Sequence, residues 1–192
     1  MSKKIAEAPP TLPDLLHAGL DVVFVGINPS LYSVAQGHYF ARRTNRFWPA
    51  FSRSRLSEAA RRTLGVERLE PTHDRALLDV GFGFTDVAKR ASARAAQLAA
   101  AELEEGAALL EAKLLRFRPR IACFHGLTGY RPFHRKLFAE SADPVLGLQP
   151  LALGATRLYV VPNPSPANAH FTPADQTVWY DALAKCLREL GG

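Results

Sequence analysis

The chain has 192 residues, of which 47% are hydrophobic and 22% are charged, so it can bury one sizeable core. This composition excludes collagen-like and wholly disordered chains, and no apolar run approaches the roughly 20 residues of a membrane helix. We expect a flexible tail over 1–10 and a single domain over 11–192. Because no apolar block follows the N-terminal charges, we also expect a soluble, cytoplasmic protein.

The charge of the chain is positive and unevenly distributed. Lys and Arg total 24 against 18 Asp and Glu, which gives a formal net charge of +6. Between 41 and 62 the single acid Glu58 stands among a group of arginines, namely Arg42, Arg43, Arg46, Arg53, Arg55, Arg61 and Arg62. This local excess indicates a surface for a polyanion, although a solvated helix face gives the same pattern.

The cysteine content bears on redox state and metal binding. Cys123 and Cys186 are too few for a disulfide framework, and their neighbours do not supply the ligands of an iron–sulfur cluster. A reduced protein without metal or cofactor is therefore expected.

Apolar runs and helical spacings alternate along the chain. They predict, in order, a short helix over 12–16 capped by Thr11, a strand over 21–27, a helix capped by Asn45 with a second stretch to about 64, a helical turn with a packed loop or strand over 77–84, a helix over 92–117, a strand over 120–125, a helix after Gly126, a strand over 157–161 and a helix from Thr172 to about 190. Strands separated by helices imply an α/β fold, with a parallel sheet covered on both faces. Ligands of such sheets bind beyond the carboxyl ends of the strands.

Distinctive motifs follow the predicted strands. Signatures of dinucleotide binding, P-loop nucleotide hydrolysis, serine hydrolysis and zinc proteolysis are absent from the sequence. Two strands end in the same Asn-Pro-Ser tripeptide, so two similar loops are expected at one edge of the sheet. The four segments at this edge read GINPS over 26–30, HYFARRTNRFW over 38–48, GFTDVAKR over 83–90 and VPNPSPANAHF over 161–171.

The order and spacing of these four segments resemble the mismatch-specific uracil/thymine-DNA glycosylase family, within the uracil-DNA glycosylase superfamily. The resemblance spans about 20–190. It implies a three-layer α/β/α sandwich with a short, mainly parallel central sheet, and a monofunctional enzyme without metal or cofactor, for which we expect a monomer. Such an enzyme flips a mispaired uracil out of double-stranded DNA, hydrolyses its N-glycosidic bond and leaves an abasic site for base excision repair.

The resemblance implies catalytic roles for two residues. Asn28 matches the family's catalytic Asn, which positions the attacking water but cannot accept its proton, so slow chemistry is expected. Its structural alternative is an Asx turn before proline. Asp86 departs from the family pattern, because relatives carry Lys or Asn at this position. It can accept the proton of the water or stabilise cationic character on the sugar, or it can simply cap a turn beginning at Val87.

A pocket for the flipped base is implied by the same motifs. Phe40 matches the base-stacking aromatic residue, and the main-chain N–H groups of Ile27 and Phe40 are expected to bind the uracil carbonyls, in the manner of an oxyanion hole. Ser33 can hydrogen-bond the base or the water, or hold its own loop. Asn163 belongs to the second Asn-Pro-Ser motif, which in the family meets the DNA at the flipped site.

The loop that follows Asn163 is expected to contact DNA through Ser165, Ala167, Asn168 and His170. Ala167 stands where relatives carry a larger wedge, so either Asn168 or His170 substitutes for it or the enzyme relies less on a plug. For His170 a phosphate contact or a solvated position is also open.

For several other residues the sequence predicts a role less specifically. Candidate phosphate contacts are Arg42, Arg43, Arg131, Arg135 and Lys136, with solvated faces as the alternative. Asn45, Arg46 and Trp48 predict a helix start with aromatic residues buried beneath it. Lys89 is a candidate amine nucleophile for β-lyase chemistry, although a solvated lysine explains it equally simply.

Two further functions compete with the enzyme. One is a damaged-DNA binding module that keeps the pocket without catalysis. The other is an α/β small-molecule binder whose strand-end loops merely resemble the motifs.

Overall fold

A computed structural model describes residues 10–138 and 142–191, so the tail predicted over 1–10 lies outside the described residues except for Pro10. The strands are β1 (Val22–Gly26), β2 (Phe82–Asp86), β3 (Ile121–His125), β4 (Gly147–Leu153) and β5 (Thr156–Val161). The α-helices are α1 (Leu31–Gln36), α2 (Phe47–Arg53), α3 (Glu58–Leu64), α4 (Ala100–Phe117), α5 (Leu127–Phe138) and α6 (Pro173–Glu189).

The five strands form one sheet in the order β2-β1-β3-β5-β4. The pairs β1–β2, β1–β3 and β3–β5 are parallel, and β4 joins the edge antiparallel to β5. The mainly parallel sheet with helices on both sides is the three-layer α/β/α fold that the sequence predicted. All parallel strands therefore end at the same edge, where the motifs lie.

Side chains of the central strands alternate between two apolar layers, because successive residues of a strand point to opposite faces. One layer packs β1 and β2 against α2 and α6 through Val22, Phe24, Phe47, Phe51, Phe84 and Tyr180. The other packs β1 and β3 against α4 and α5 through Val23, Val25, Leu110, Leu114, Phe124 and Phe133. The sheet edge that carries the motifs is thus supported by a buried core on each face of the sheet.

One predicted helix is absent, and another begins later than predicted. The segment 12–16 is extended, and Leu15 exchanges two main-chain hydrogen bonds of 2.9 Å with Phe84, which closes the outer edge of β2. Pairing of this exposed edge outweighs the weak local preference for a helix. Helix α4 begins at Ala100 rather than at 92, because the preceding residues turn to contact the first strand-end loop through Ser92.

Strand β4 was not predicted. Its register against β5 shifts between Leu148 and Ala152, and it contains Pro150, which an edge strand tolerates but which disguises the pattern in sequence.

Candidate active site

The two Asn-Pro-Ser loops lie at the same edge of the sheet, on either side of the end of β3. A Cβ atom built on Gly126, just after β3, would lie 3.0 Å from Cβ of Asn163. One built on Gly129 would lie 2.9 Å from Cγ1 of Ile27, which precedes Asn28. The start of α5 therefore packs against both loops and determines the distance between them.

Asn28 is half-buried, and its side chain is oriented by the segment after β2. Its Nδ2 donates to the carbonyl of Arg90 at 3.0 Å and to Oγ of Ser92 at 2.8 Å, with a longer bond of 3.3 Å to the carbonyl of Pro29. Carbonyl oxygens only accept, so these bonds decide which end of the amide faces them. No described residue donates to Oδ1, which is left to accept a hydrogen bond from water.

Asp86 is the last residue of β2 and is only 3% exposed. Its Oδ2 has no hydrogen-bond partner within the described residues, and Nζ of Lys89 lies 4.0 Å away. Burial raises the pKa of Asp86 to about 7, even though Lys89 acts in the opposite direction. The carboxylate is a stronger base than an exposed Asp and can take a proton near neutral pH.

The turn after Asp86 is held by the main chain. The amides of Val87 and Ala88 donate to the carbonyls of Gly26 and Ile27, each at 2.9 Å. Across the β1–β2 pair Asp86 stands beside Gly26, and a Cβ atom on that glycine would overlap Oδ1 of Asp86. The carboxylate therefore lies over Gly26, where only glycine leaves it room.

Phe40 adopts a left-handed backbone conformation with φ of 52°, which is unfavourable for a bulky residue. The neighbouring amides fix it: Tyr39 N donates to Oδ2 of Asp74 at 3.0 Å, and Ala41 N donates to Oγ of Ser33 at 3.3 Å. The Phe40 ring stacks on Phe47 with centroids 4.4 Å apart. The strained conformation is held by contacts on both sides.

Two main-chain amides, those of Ile27 and Phe40, are predicted to bind the uracil carbonyls. The amides of Ile27 and Phe40 donate to no acceptor in the described ranges. Ser33 is buried, and its hydroxyl accepts from Ser30 Oγ at 3.0 Å and from Ala41 N. These bonds favour the loop-holding alternative for Ser33 over direct contact with a base.

The second Asn-Pro-Ser loop is closed by its own side chains. Oδ1 of Asn163 accepts from Ser165 N at 2.9 Å, and the Asn163 carbonyl accepts from Nδ2 of Asn168 at 3.0 Å. Asn168 is thus drawn back into the loop, whereas Ala167 and His170 are exposed. Of the two residues predicted to replace the wedge, His170 is the one that faces solvent.

Residues 13–185 match the model of the uracil DNA glycosylase superfamily. The chain belongs to this superfamily. Membership indicates a DNA glycosylase that acts on uracil, and it agrees with the position of the motifs at the strand ends. Within the described ranges, no helix is long and apolar enough to cross a membrane, and no three His, Cys, Asp or Glu side chains group as metal ligands would.

In this glycosylase Arg46 joins the two halves of the site. Its Nη1 donates to the carbonyls of Asn168 and Phe171, both at 2.7 Å, and its amide donates to the carbonyl of Pro164 at 3.0 Å. The sequence predicted only a helix start in this segment. Oδ1 of Asn45 does accept a hydrogen bond from the amide of Phe47, the first helical residue, at 2.9 Å. Arg46 therefore tethers the C-terminal loop.

Replacing Arg46 by Ala is expected to loosen the loop over 163–171 and to slow uracil excision on the order of 10-fold, since small misplacements of contact groups are costly. Limited proteolysis of the free protein should show faster cleavage within this loop. Arg53→Ala, at the exposed end of the same helix, is the matched control. Slower excision with unchanged proteolysis would instead make Arg46 a direct DNA contact.

The predicted phosphate contacts are not all at this edge. Arg42 and Arg43 are exposed two and three residues after Phe40. Helix α5 runs back along the sheet, and its Lys136 pairs with Glu111 of α4 at 3.4 Å, so the far end of α5 lies away from the site. Two grooves of about 540 and 330 Å³ lie beside α3, and none of the predicted site residues lines them.

His125 packs beneath the candidate base-stacking residue, a contact that the sequence did not predict. It ends β3, and its ring centroid lies 5.0 Å from that of Phe40. Nδ1 faces the carbonyl of Val25 at 3.3 Å and must carry the proton, so Nε2 accepts from the hydroxyl of Tyr180 at 3.0 Å. Burial lowers the pKa of His125 to about 3, so the ring is neutral. In the sequence, only the position of a single His at the end of an apolar strand could have indicated this contact.

Proposed function

We propose that this glycosylase hydrolyses the N-glycosidic bond of mispaired uracil in double-stranded DNA, acting as a monomer without a cofactor and leaving an abasic site. The observation that carries the proposal is the buried Asp86 carboxylate, with one oxygen unpartnered, at the edge where Asn28 and Phe40 also lie. An unpartnered buried carboxylate costs stability, and a catalytic use explains why it is kept.

The flipped uracil stacks on the Phe40 ring, and its carbonyls accept hydrogen bonds from the free amides of Ile27 and Phe40. As the bond between N1 and C1′ breaks, its electron pair leaves with the base, and negative charge grows on those carbonyls. Preorganised amides then bind the transition state more strongly than the substrate. Each donor contributes on the order of 3 kcal/mol in such sites.

The attacking water is oriented by Asn28 and deprotonated by Asp86. Oδ1 of Asn28 accepts one hydrogen of the water, while the other proton passes to the Asp86 carboxylate as the water oxygen bonds to C1′. The Asp86 carboxylate also stabilises positive character on the sugar before the water attacks. The amide supplies geometry and the carboxylate supplies basicity, which an amide lacks.

The loop over 163–171 opens the duplex at the flipped nucleotide, while Arg42 and Arg43 bind phosphates. Because Ala167 is small and Asn168 is bonded within its loop, only the exposed His170 remains to fill the hole left by the base. If His170 does not fill it, selectivity for the orphan guanine is weak. Binding falls steeply with salt, but the preference for uracil does not, since phosphate contacts carry no base information.

A labelled duplex containing one G·U pair tests the proposal. Incubation followed by alkali is expected to break the labelled strand at the uracil, and omission of alkali is expected to leave it intact. Binding without alkali-labile sites would identify a damage-binding module instead. Absence of both would leave an α/β binder of small molecules, and a G·C duplex is the matched control.

A further inference from the structure

A cluster of charged side chains lies beside β2, next to the proposed base. Oδ1 of Asp14 accepts from Nζ of Lys89 at 2.8 Å and from Oγ1 of Thr85 at 2.7 Å. Its Oδ2 pairs with Nζ of Lys113 on α4 at 2.6 Å. The hydrogen bonds from both lysines outweigh burial and lower the pKa of Asp14, so it remains a carboxylate.

Lys89 stands between two carboxylates and is bonded to only one of them. Its Nζ is 2.8 Å from Asp14 but 4.0 Å from Oδ2 of Asp86, which is too long for a hydrogen bond. The hydroxyl of Tyr39 accepts a further bond from Nζ at 3.3 Å. The ammonium is therefore held on the Asp14 side, and Oδ2 of Asp86 is left without a donor.

We infer, on the basis of the function proposed above, that Asp14 is a positioning residue: it holds the Lys89 ammonium away from Asp86, so that Oδ2 of Asp86 accepts a proton from water. Were Lys89 to donate to Asp86, it would occupy the oxygen that the mechanism needs. It would also stabilise the anion and weaken the base. Asp14 thus acts on the reaction through Lys89, without touching the substrate.

The charged groups around Asp86 predict the direction in which each variant moves the pKa of Asp86. Burial raises the pKa of Asp86, Lys89 lowers it, Asp14 raises it and Lys113 lowers it. Of the other titratable groups on this side, burial raises the pKa of the Tyr39 hydroxyl and lowers that of His125, so both are neutral near pH 7. Removing Asp14 or Lys89 must therefore move the titration of Asp86 in opposite directions.

The test is the pH dependence of single-turnover uracil excision in three variants. In Asp14→Asn the released Lys89 is expected to pair with Asp86, and the rise of the rate with pH should move down by ~1 pH unit. In Lys89→Gln it should move up by a similar amount. Lys185→Gln, which removes an exposed lysine on α6, is the control and should leave the profile in place.

A carbon-13 titration of the Asp86 carboxyl in the free protein gives a second readout that needs no activity. Lys89→Gln keeps the bonds of Asp14 to Thr85 and Lys113, so this arm does not depend on the folding of the Asp14 variant. Shifts of opposite sign support the inference. Unmoved profiles, or shifts of the same sign, overturn it even if Asp86→Asn abolishes excision. Full activity of Asp86→Asn instead overturns the proposed mechanism itself.

Discussion

Replacing Asp86 by Asn is expected to slow single-turnover uracil excision by ~100-fold or more, while affinity for the G·U duplex stays unchanged. The amide keeps the shape of the side chain but cannot take the proton of the attacking water. Excision by the unaltered protein should rise with pH through about 7, because only the deprotonated carboxyl acts as a base. Rapid mixing with excess protein, followed by alkali, measures the step directly.

Asp21→Asn is the matched control for this change. Asp21 precedes β1 at the opposite end of the strand and pairs with Arg120 at 2.9 Å, so its loss should leave excision unaltered. Equal excision rates in Asp86→Asn and the unaltered protein would remove Asp86 from the mechanism.

Stability provides an independent check on the same variant. Burial raises the pKa of Asp86 in the folded state, so folding favours the protonated carboxyl. The stability that the protonated carboxyl contributes to the folded state is fully present below about pH 4 and is lost as pH rises through about 7. Asn carries no charge to bury. Urea unfolding should therefore show Asp86→Asn to be more stable than the unaltered protein at pH 8, with the advantage shrinking toward pH 4. A stability difference that does not vary with pH would contradict a buried ionised carboxylate.

Local sequence was sufficient to predict three of the four parallel strands and the loops that follow them, whereas it left loop and strand open over 77–84, where β2 begins at Phe82. The run from Val22 to Gly26 is apolar on both faces and is stopped by Asn28-Pro29, so both its burial and its end can be inferred from the local sequence. The segment 12–16 and strand β4 behave differently. Each lies at or beside an edge of the sheet, where pairing with a distant strand decides the conformation and local propensity is weak.

The placement of candidate residues at the strand ends was predictable where a motif carries them, and their contacts with distant segments were not. Asp86 ends β2, Asn28 comes two residues after β1, and Phe40 lies in the loop after α1; all three belong to recognisable segments. The hydrogen bond from Arg46 to the Asn168 carbonyl joins residues more than a hundred positions apart, so no local sequence pattern predicts it. The position of Lys89 similarly depends on Asp14, which reaches β2 only because the preceding segment pairs with that edge.

Replacing Asn28 by Ala is expected to lower single-turnover excision by ~100-fold, since an unoriented water leaves the reaction without its attack geometry. Binding of a duplex that already contains the abasic site should be unchanged. Ser92→Ala, which removes one of the two short bonds from Nδ2 but keeps that to Arg90, should cost on the order of 10-fold. The same rapid-mixing assay ranks the two variants, and a larger loss in Ser92→Ala would contradict the orienting role of the amide.

The combination of Asn28→Ala with Asp86→Asn separates joint from independent action. If the amide and the carboxylate handle the same water, removal of either already forfeits its activation, so the double variant should be scarcely slower than the slower single variant. Losses that multiply would mean that Asp86 acts mainly on the charge of the sugar, while Asn28 alone manages the water. Because Nδ2 of Asn28 binds Arg90 and Ser92, just beyond Asp86 along the chain, the structure favours the joint outcome.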